Sequence, residues 1–271
     1  MCRLLAAVAS EVTHFRLSLK EAPRSLAFLS REHRDGWGIG VFSQGDGWLL
    51  QRGTDCAHED DDFHEVAAGS CGEVLIAHVR KRTVGPVTLE NTHPFEKSGW
   101  VFAHNGTIED IEWVRSQLSP ERRSALTGQT DSEIFFAFLL SRLDEARIGS
   151  VGDGNATDIV ISRALRDLHA RPKLGACNFL LSNGRTLYAH RSGRTLFLLE
   201  RRPGDAVRIE RASSETGAVV ETAWSPARQA VLIASERITD EPWREVAEGA
   251  LLRVDRLPLP VCREIPQHSV A

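Results

Sequence analysis

Cys2 is the residue in this sequence with the most chemistry to offer. Removal of Met1 would leave a thiol and a free α-amine on one residue, so nucleophile and base would be adjacent by covalent geometry. A free α-amine titrates near ~7.7–8.0 and a thiol near ~8.5, so close to neutral pH the amine can take the thiol proton, directly or through a water. Such a residue needs no catalytic histidine. A cysteine at position 2 is by itself an ordinary occurrence, so the reading depends on what else the chain supplies.

Three other stretches supply it. His104-Asn105-Gly106 follows the apolar run Trp100–Ala103, and an Asn side-chain amide beside a Gly N–H offers two converging donors for a tetrahedral oxyanion. Ala77-His78-Val79-Arg80 closes another apolar run, leaving a guanidinium able to grip a carboxylate in two places. Asp131 stands in the first turn of a capped helix, where the positive end of the helix favours its charge and where it could pair with an ammonium. Each has an ordinary alternative: a turn after a strand, a solvated strand-end arginine, an acid serving its helix alone. Together they match one ligand. A free α-amino acid group needs one anionic and one cationic partner, and a side-chain amide carbonyl needs a nucleophile and two donors; glutamine or a γ-glutamyl compound asks for all five.

The elements expected to position these residues are mostly strands. Apolar runs rich in Val, Leu, Ile and Phe recur at Trp37–Phe42, Val74–Val79, Trp100–Ala103, Cys177–Leu181, Thr186–Ala189, Thr195–Leu199 and Ala230–Ala234. Ser182-Asn183-Gly184-Arg185 joins two of them, and Asn-Gly favours a tight hairpin, so part of the sheet is antiparallel. Helical spacing is present in Phe15–Ser30, Ser132–Leu143 and Ile159–His169. The second of these opens with Thr130-Asp131-Ser132-Glu133, a capping box that predicts a helix start at Thr130. Asp55–His64, with two histidines among five acidic residues, reads as a solvated acidic loop rather than a metal site.

Composition narrows the partners. The 271 residues carry 33 Lys plus Arg against 37 Asp plus Glu, a net charge of -4, which gives no reason to expect nucleic acid or an anionic membrane. A small-molecule substrate fits better. The chain shows no linker, repeat or charge block, so one domain over 1–271 is expected. The apolar run Leu4–Ala9 is too short for a secretory core or a bilayer span, so a cytoplasmic protein is expected. Five cysteines at scattered spacings, without C-x-x-C, suggest neither a disulfide framework nor a zinc site, and no metal or cofactor is expected. Residues 201–225 and 255–271 hold no motif that can be interpreted.

Met1-Cys2-Arg3, Arg34-Asp35-Gly36-Trp37-Gly38, Ala77-His78-Val79-Arg80, Asn91-Thr92-His93-Pro94-Phe95, Phe102-Ala103-His104-Asn105-Gly106 and Thr130-Asp131-Ser132-Glu133, in that order, resemble the class II glutamine amidotransferases. The match is specific over residues 1 to about 143 and looser through Asn178–Arg191 and Ile233-Ala234-Ser235-Glu236. That family belongs to the N-terminal-nucleophile hydrolases. The resemblance therefore implies an α+β fold, a four-layer αββα sandwich of two stacked antiparallel sheets between helical layers. It also implies Cys2 as nucleophile and base, Asn105 and Gly106 as the oxyanion hole, Arg80 as carboxylate ligand and Asp131 as ammonium ligand. Arg34, Asp35 and Trp37 are expected to shape the pocket near the nucleophile, and His78, His93 and His104 to orient loops. After Arg80 the chain reads Lys81-Arg82-Thr83-Val84-Gly85 where many relatives have Ala-Thr-His-Gly. The strings look most like short, stand-alone members, some of which act on γ-glutamyl amides of thiol metabolism. The expected activity is hydrolysis of the side-chain amide of glutamine or of a γ-glutamyl amide. The alternatives are a subunit supplying ammonia to a separate synthetase and a non-catalytic sensor of glutamine-like metabolites.

Overall fold

The computed structural model describes residues 2–152, 154–203, 211–212, 219–220 and 228–266, and Met1 and most of 201–225 lie outside them. The chain runs β1 (Arg3–His14), α1 (Leu26–Leu29), β2 (Trp37–Ser43), β3 (Gly47–Gly53), α2 (Asp61–Gly69), β4 (Cys71–Val79), β5 (Phe95–Lys97) and β6 (Trp100–Ile108). Next come α3 (Ile111–Ser116), α4 (Pro120–Ser124), α5 (Asp131–Glu145), α6 (Gly154–His169), β7 (Gly175–Ser182), β8 (Thr186–His190) and β9 (Phe197–Arg201). A small β10–β11 pair (Arg211–Ala212, Val219–Val220) precedes β12 (Ala230–Ala234), β13 (Arg244–Glu245), β14 (Leu251–Asp255) and β15 (Val261–Ile265).

The long strands form two antiparallel sheets. One has the order β13-β9-β12-β1-β4-β2-β3, the other β15-β14-β8-β7-β6-β5. Strand alternation sends one set of side chains inward and the other outward. Leu4, Ala6 and Val8 of β1 meet Val101 and Ala103 of β6, Leu180 of β7 and Leu252 of β14 in a core between the sheets. Leu5, Ala7 and Ala9 point the other way, against Leu26 of α1 and Phe63 and Ala67 of α2. Phe102, Cys177 and Phe179 point outward from the second sheet onto Phe135, Leu139, Ile161 and Leu165 of α5 and α6. The layers are thus helix, sheet, sheet, helix, the αββα sandwich that the resemblance implies. Among the described residues no helix is long and apolar enough to cross a membrane.

Local signals and local structure agree at two points. Gly184 turns the β7–β8 hairpin with φ +82, and Asn183 Oδ1 accepts from the N–H groups of Arg185 and Thr186. Thr130 Oγ1 caps α5 by accepting from Glu133 N at 3.2 Å. Only half of the capping box closes, because the Glu133 carboxylate instead accepts from Thr127 N and Gly128 N.

Elsewhere the sequence expectation is corrected. Phe15–Ser30 is not one helix: a π-helical turn at Leu17–Glu21 is separated from α1 by Pro23, which cannot donate the hydrogen bond that would join them. Asp55–His64 is not wholly loop, since Asp60 caps α2 by accepting from Asp62 N. The largest omission is β1, a twelve-residue strand near the centre of its sheet. Being buried on both faces over Leu4–Ala9 it shows no polar alternation there, and its three alanines (Ala6, Ala7 and Ala9) weaken the strand signal.

Candidate active site

Antiparallel pairing brings the start of β1 beside the end of β4, with Arg3 opposite Val79. Cys2 therefore lies next to the residues that follow β4. Its Sγ sits 3.4 Å from both the N and the O of Lys81, accepting from the first and donating to the second. Burial pushes the thiol pKa up; the Lys81 N–H and the Arg80 charge oppose this, and the Asp131 charge adds to it. The thiol thus feels both charged residues singled out in the sequence. Arg3 fixes the peptide after the nucleophile, with Nη1 donating to Cys2 O and Nη2 paired with Glu236 at 2.8 Å.

Arg80 is buried rather than solvated. Its main chain is locked to the β2 approach by Arg80 N to Gly36 O and Asp35 N to Arg80 O. Nη1 donates to Pro86 O and Nη2 to Val84 O, each at 3.1 Å, so the guanidinium also shapes the loop that follows it. Asn91 bridges that loop to the α5 entrance: Nδ2 donates to Pro86 O, and Oδ1 accepts from Gln129 N at 2.7 Å. Asp131 lies at the first position of α5, and its Oδ2 accepts from Ile108 N at 2.7 Å, tying the helix to the end of β6.

Asn105 points into the interlayer space, where Nδ2 donates to Ser235 Oγ at 3.3 Å. Gly106 must be glycine, because a Cβ there would lie 1.8 Å from Ala176 O on the paired strand. His104 faces the opposite side of β6; Nε2 lies 3.3 Å from Ala176 O and Nδ1 2.9 Å from Ser132 Oγ, which locks α5 to β6 and β7. Burial lowers its pKa.

Cys2, Arg80, Asn105, Gly106 and Asp131 thus come from four elements to one end of the sandwich. Two residues of the Arg34–Trp37 string do not join them. Arg34 pairs with Glu59 at the surface, and Trp37 packs on Phe63 while its Nε1 donates to Asp60. Asp35 and Gly36 do reach the site: Asp35 accepts from Arg82 N at 2.8 Å, and Gly36 O accepts from Arg80 N.

Two residues here escape the sequence reading. Ser235 is a buried hub: Oγ accepts from Leu4 N and from Asn105 Nδ2, N donates to Leu4 O, and O accepts from Thr195 Oγ1. One hydroxyl therefore connects the nucleophile strand to the oxyanion strand. His33 is buried near Arg3 and Lys81; burial and those two cations depress its pKa to about 4. Only the loose Ile233–Glu236 string pointed toward Ser235, and nothing in the sequence marked His33.

Comparison with known proteins agrees with the fold. The model of the class II glutamine amidotransferases matches residues 1–265, and the chain belongs to that family of enzymes. It is 29% identical to an uncharacterized protein of Methanocaldococcus jannaschii, over 93% of this chain and 68% of that one. It is also 29% identical to the γ-glutamyl-hercynylcysteine sulfoxide hydrolase of Mycobacterium tuberculosis, over 80% of this chain and 88% of the relative. Among solved structures, a predicted glutamine amidotransferase of Pseudomonas aeruginosa superposes with a TM-score of 0.63 at 26% identity, covering 93% of this chain and 97% of the other. Glutamine phosphoribosylpyrophosphate amidotransferase of B. subtilis shares the fold, with a TM-score of 0.63 at 17% identity over 98% of this chain and 50% of that one.

Proposed function

We propose that the protein hydrolyses the side-chain amide of glutamine or of a γ-glutamyl amide through a thioester on Cys2, after loss of Met1. The observation that carries this reading is the position of the Cys2 thiol, held by Lys81 within electrostatic reach of Arg80 and Asp131. The α-carboxylate of the substrate would take N–H groups that Arg80 does not spend on Val84 and Pro86. Its α-ammonium would take Asp131 Oδ1, since Oδ2 is engaged by Ile108 N.

In the first step the Cys2 amine accepts the thiol proton and the sulfur attacks the γ-carbonyl, with Asn105 Nδ2 and Gly106 N donating to the oxyanion. The C–N bond breaks as the ammonium returns its proton to the departing ammonia or amine. Water, deprotonated by the same amine, then splits the thioester to glutamate. The M. tuberculosis relative, named as a γ-glutamyl-hercynylcysteine sulfoxide hydrolase and matched over most of its length, supports hydrolysis by the chain alone. Glutamine and γ-glutamyl amides of thiol compounds are therefore the substrates to screen, in a cytoplasmic setting.

The test is glutamate release by protein whose intact mass shows Met1 removed. Cys2→Ala should abolish release and the acyl-enzyme adduct seen by mass spectrometry. Equal release by the two proteins would end the proposal, and brisk release by Met1-retaining protein would exclude the amine as base.

A further inference from the structure

On the outer face of the second sheet, away from Cys2, three ligating side chains converge from different elements. His169 ends α6, Cys177 lies on β7 and His190 ends β8. Their ligand atoms all lie within 4.8 Å of one another, and the two Nε2 atoms are 3.0 Å apart. Cys177 and His190 are buried, while His169 is exposed and gives access from solvent.

The proton arrangement bears on what the cluster can hold. His190 Nδ1 lies 2.9 Å from Ala250 O, a carbonyl that can only accept, so Nδ1 carries the proton and Nε2 presents a lone pair. A backbone carbonyl holding the far nitrogen of an imidazole is the support that metal-bound histidines ordinarily have. Burial of His190 keeps the ring neutral, with a pKa of about 3. The 3.0 Å contact is then a hydrogen bond from His169 Nε2 to His190 Nε2, which places both atoms near the ~3.3 Å separation of two nitrogens on a tetrahedral zinc ion.

We propose that Cys177, His169 and His190 bind one transition-metal ion that accepts thiolate and imidazole, Zn2+ being the representative, with the fourth position left to water. Binding forms one metal–sulfur and two metal–nitrogen bonds. The Cys177 proton passes to solvent, and His169 exchanges its Nε2 proton for one on Nδ1, so one proton is released per ion bound. Thiolate and imidazole together select Zn2+ and similar ions over Mg2+ or Ca2+. The ion would fasten the end of α6 to β7 and β8. Because Cys177 lies opposite Gly106 in the β6–β7 ladder, it would also stiffen the strand behind the oxyanion donors.

The experiment is a Co2+ titration of chelator-treated Cys2→Ala protein, in which the other thiol near a free amine is gone. One equivalent should produce a sulfur-to-cobalt charge-transfer band with tetrahedral ligand-field bands, Zn2+ should displace it, and Zn2+ should raise the Tm. Cys177→Ser should remove the charge-transfer band. His169→Ala, altering an exposed side chain, should keep the fold and weaken binding by more than about tenfold. Absence of saturable binding, or a charge-transfer band of unchanged affinity in His169→Ala, would overturn the proposal.

Discussion

The space between the two sheets is filled in two different ways. Over most of its length it holds aliphatic side chains: Val8, Val74, Ile76, Val101, Val231 and Ile233. At the end where β1 begins it holds Asn105, Asn178, Thr195 and Ser235, joined by hydrogen bonds. Asn178, for example, donates to Arg194 O and Thr195 O and accepts from Ser192 N. Aliphatic packing sets the spacing of the sheets but hardly any single orientation, whereas a buried amide must find its partners and so holds a direction. The dry part therefore fixes how far β1 stands from β6. The polar part fixes how Asn105 is aimed.

This contrast can be broken by mutation, and the largest effect is expected at the polar end. Asn105→Ala should lower kcat by about 10²–10³, as for other single oxyanion donors, with little change in Tm. A Tm fall as large as that of a core truncation would mean that Asn105 serves packing instead. Ser235→Ala should come next. It leaves Leu4 N and Asn105 Nδ2 without their acceptor, an effect of about 1–3 kcal/mol divided between stability and rate. If Ser235 positions the donor, kcat falls more than KM rises, and Ser235→Thr restores part of it; an unchanged kcat would refute the role.

The same contrast explains what could be read from the sequence. The Asn183-Gly184 hairpin and the Thr130 cap are legible because their causes lie within four residues. The sandwich itself is legible through motif strings, which carry information that periodicity lacks. β1 is hidden because both of its faces are buried over Leu4–Ala9, and β15 because the exposed Arg263 and Glu264 interrupt its few apolar residues. Ser235 gains its role only through the pairing of β12 with β1, and Trp37 loses the role expected of it because strand alternation turns it to α2. Neither fact is local. The site motifs mark positions at strand ends and a helix start, while the residues that aim them come from pairings across the sheets.

Acid should reveal the polar end in another way. His33 has a folded pKa of about 4, below the ~6.5 of an unfolded histidine, so the unfolded chain binds more protons between these values. Its stabilisation is present above pH ~6.5 and is lost as pH falls toward 4. From pH 6.5 to 5 this amounts to about 1–1.5 kcal/mol from His33 alone. His78 and His190, with pKa values of about 3 from burial, act in the same direction. Denaturant unfolding at the two pH values should show the drop, and His33→Gln should reduce it by about that amount. An equal drop in both proteins would show that His33 does not titrate with unfolding.

The smallest expected effect belongs to the aliphatic part. Ile233 is fully buried, faces the second sheet and pairs in register with Ala6 of β1 and Leu198 of β9. Ile233→Val removes one methylene and should cost about 0.5–1.5 kcal/mol of stability. Ser235 lies two residues further along the same chain, yet its hydrogen bonds to Leu4 and Asn105 do not pass through the lost methylene. Activity below the unfolding transition should therefore stay at the parent level. If Ile233→Val lowers kcat as Ser235→Ala does, spacing and aim are not separable, and the two parts of the interlayer act as one unit.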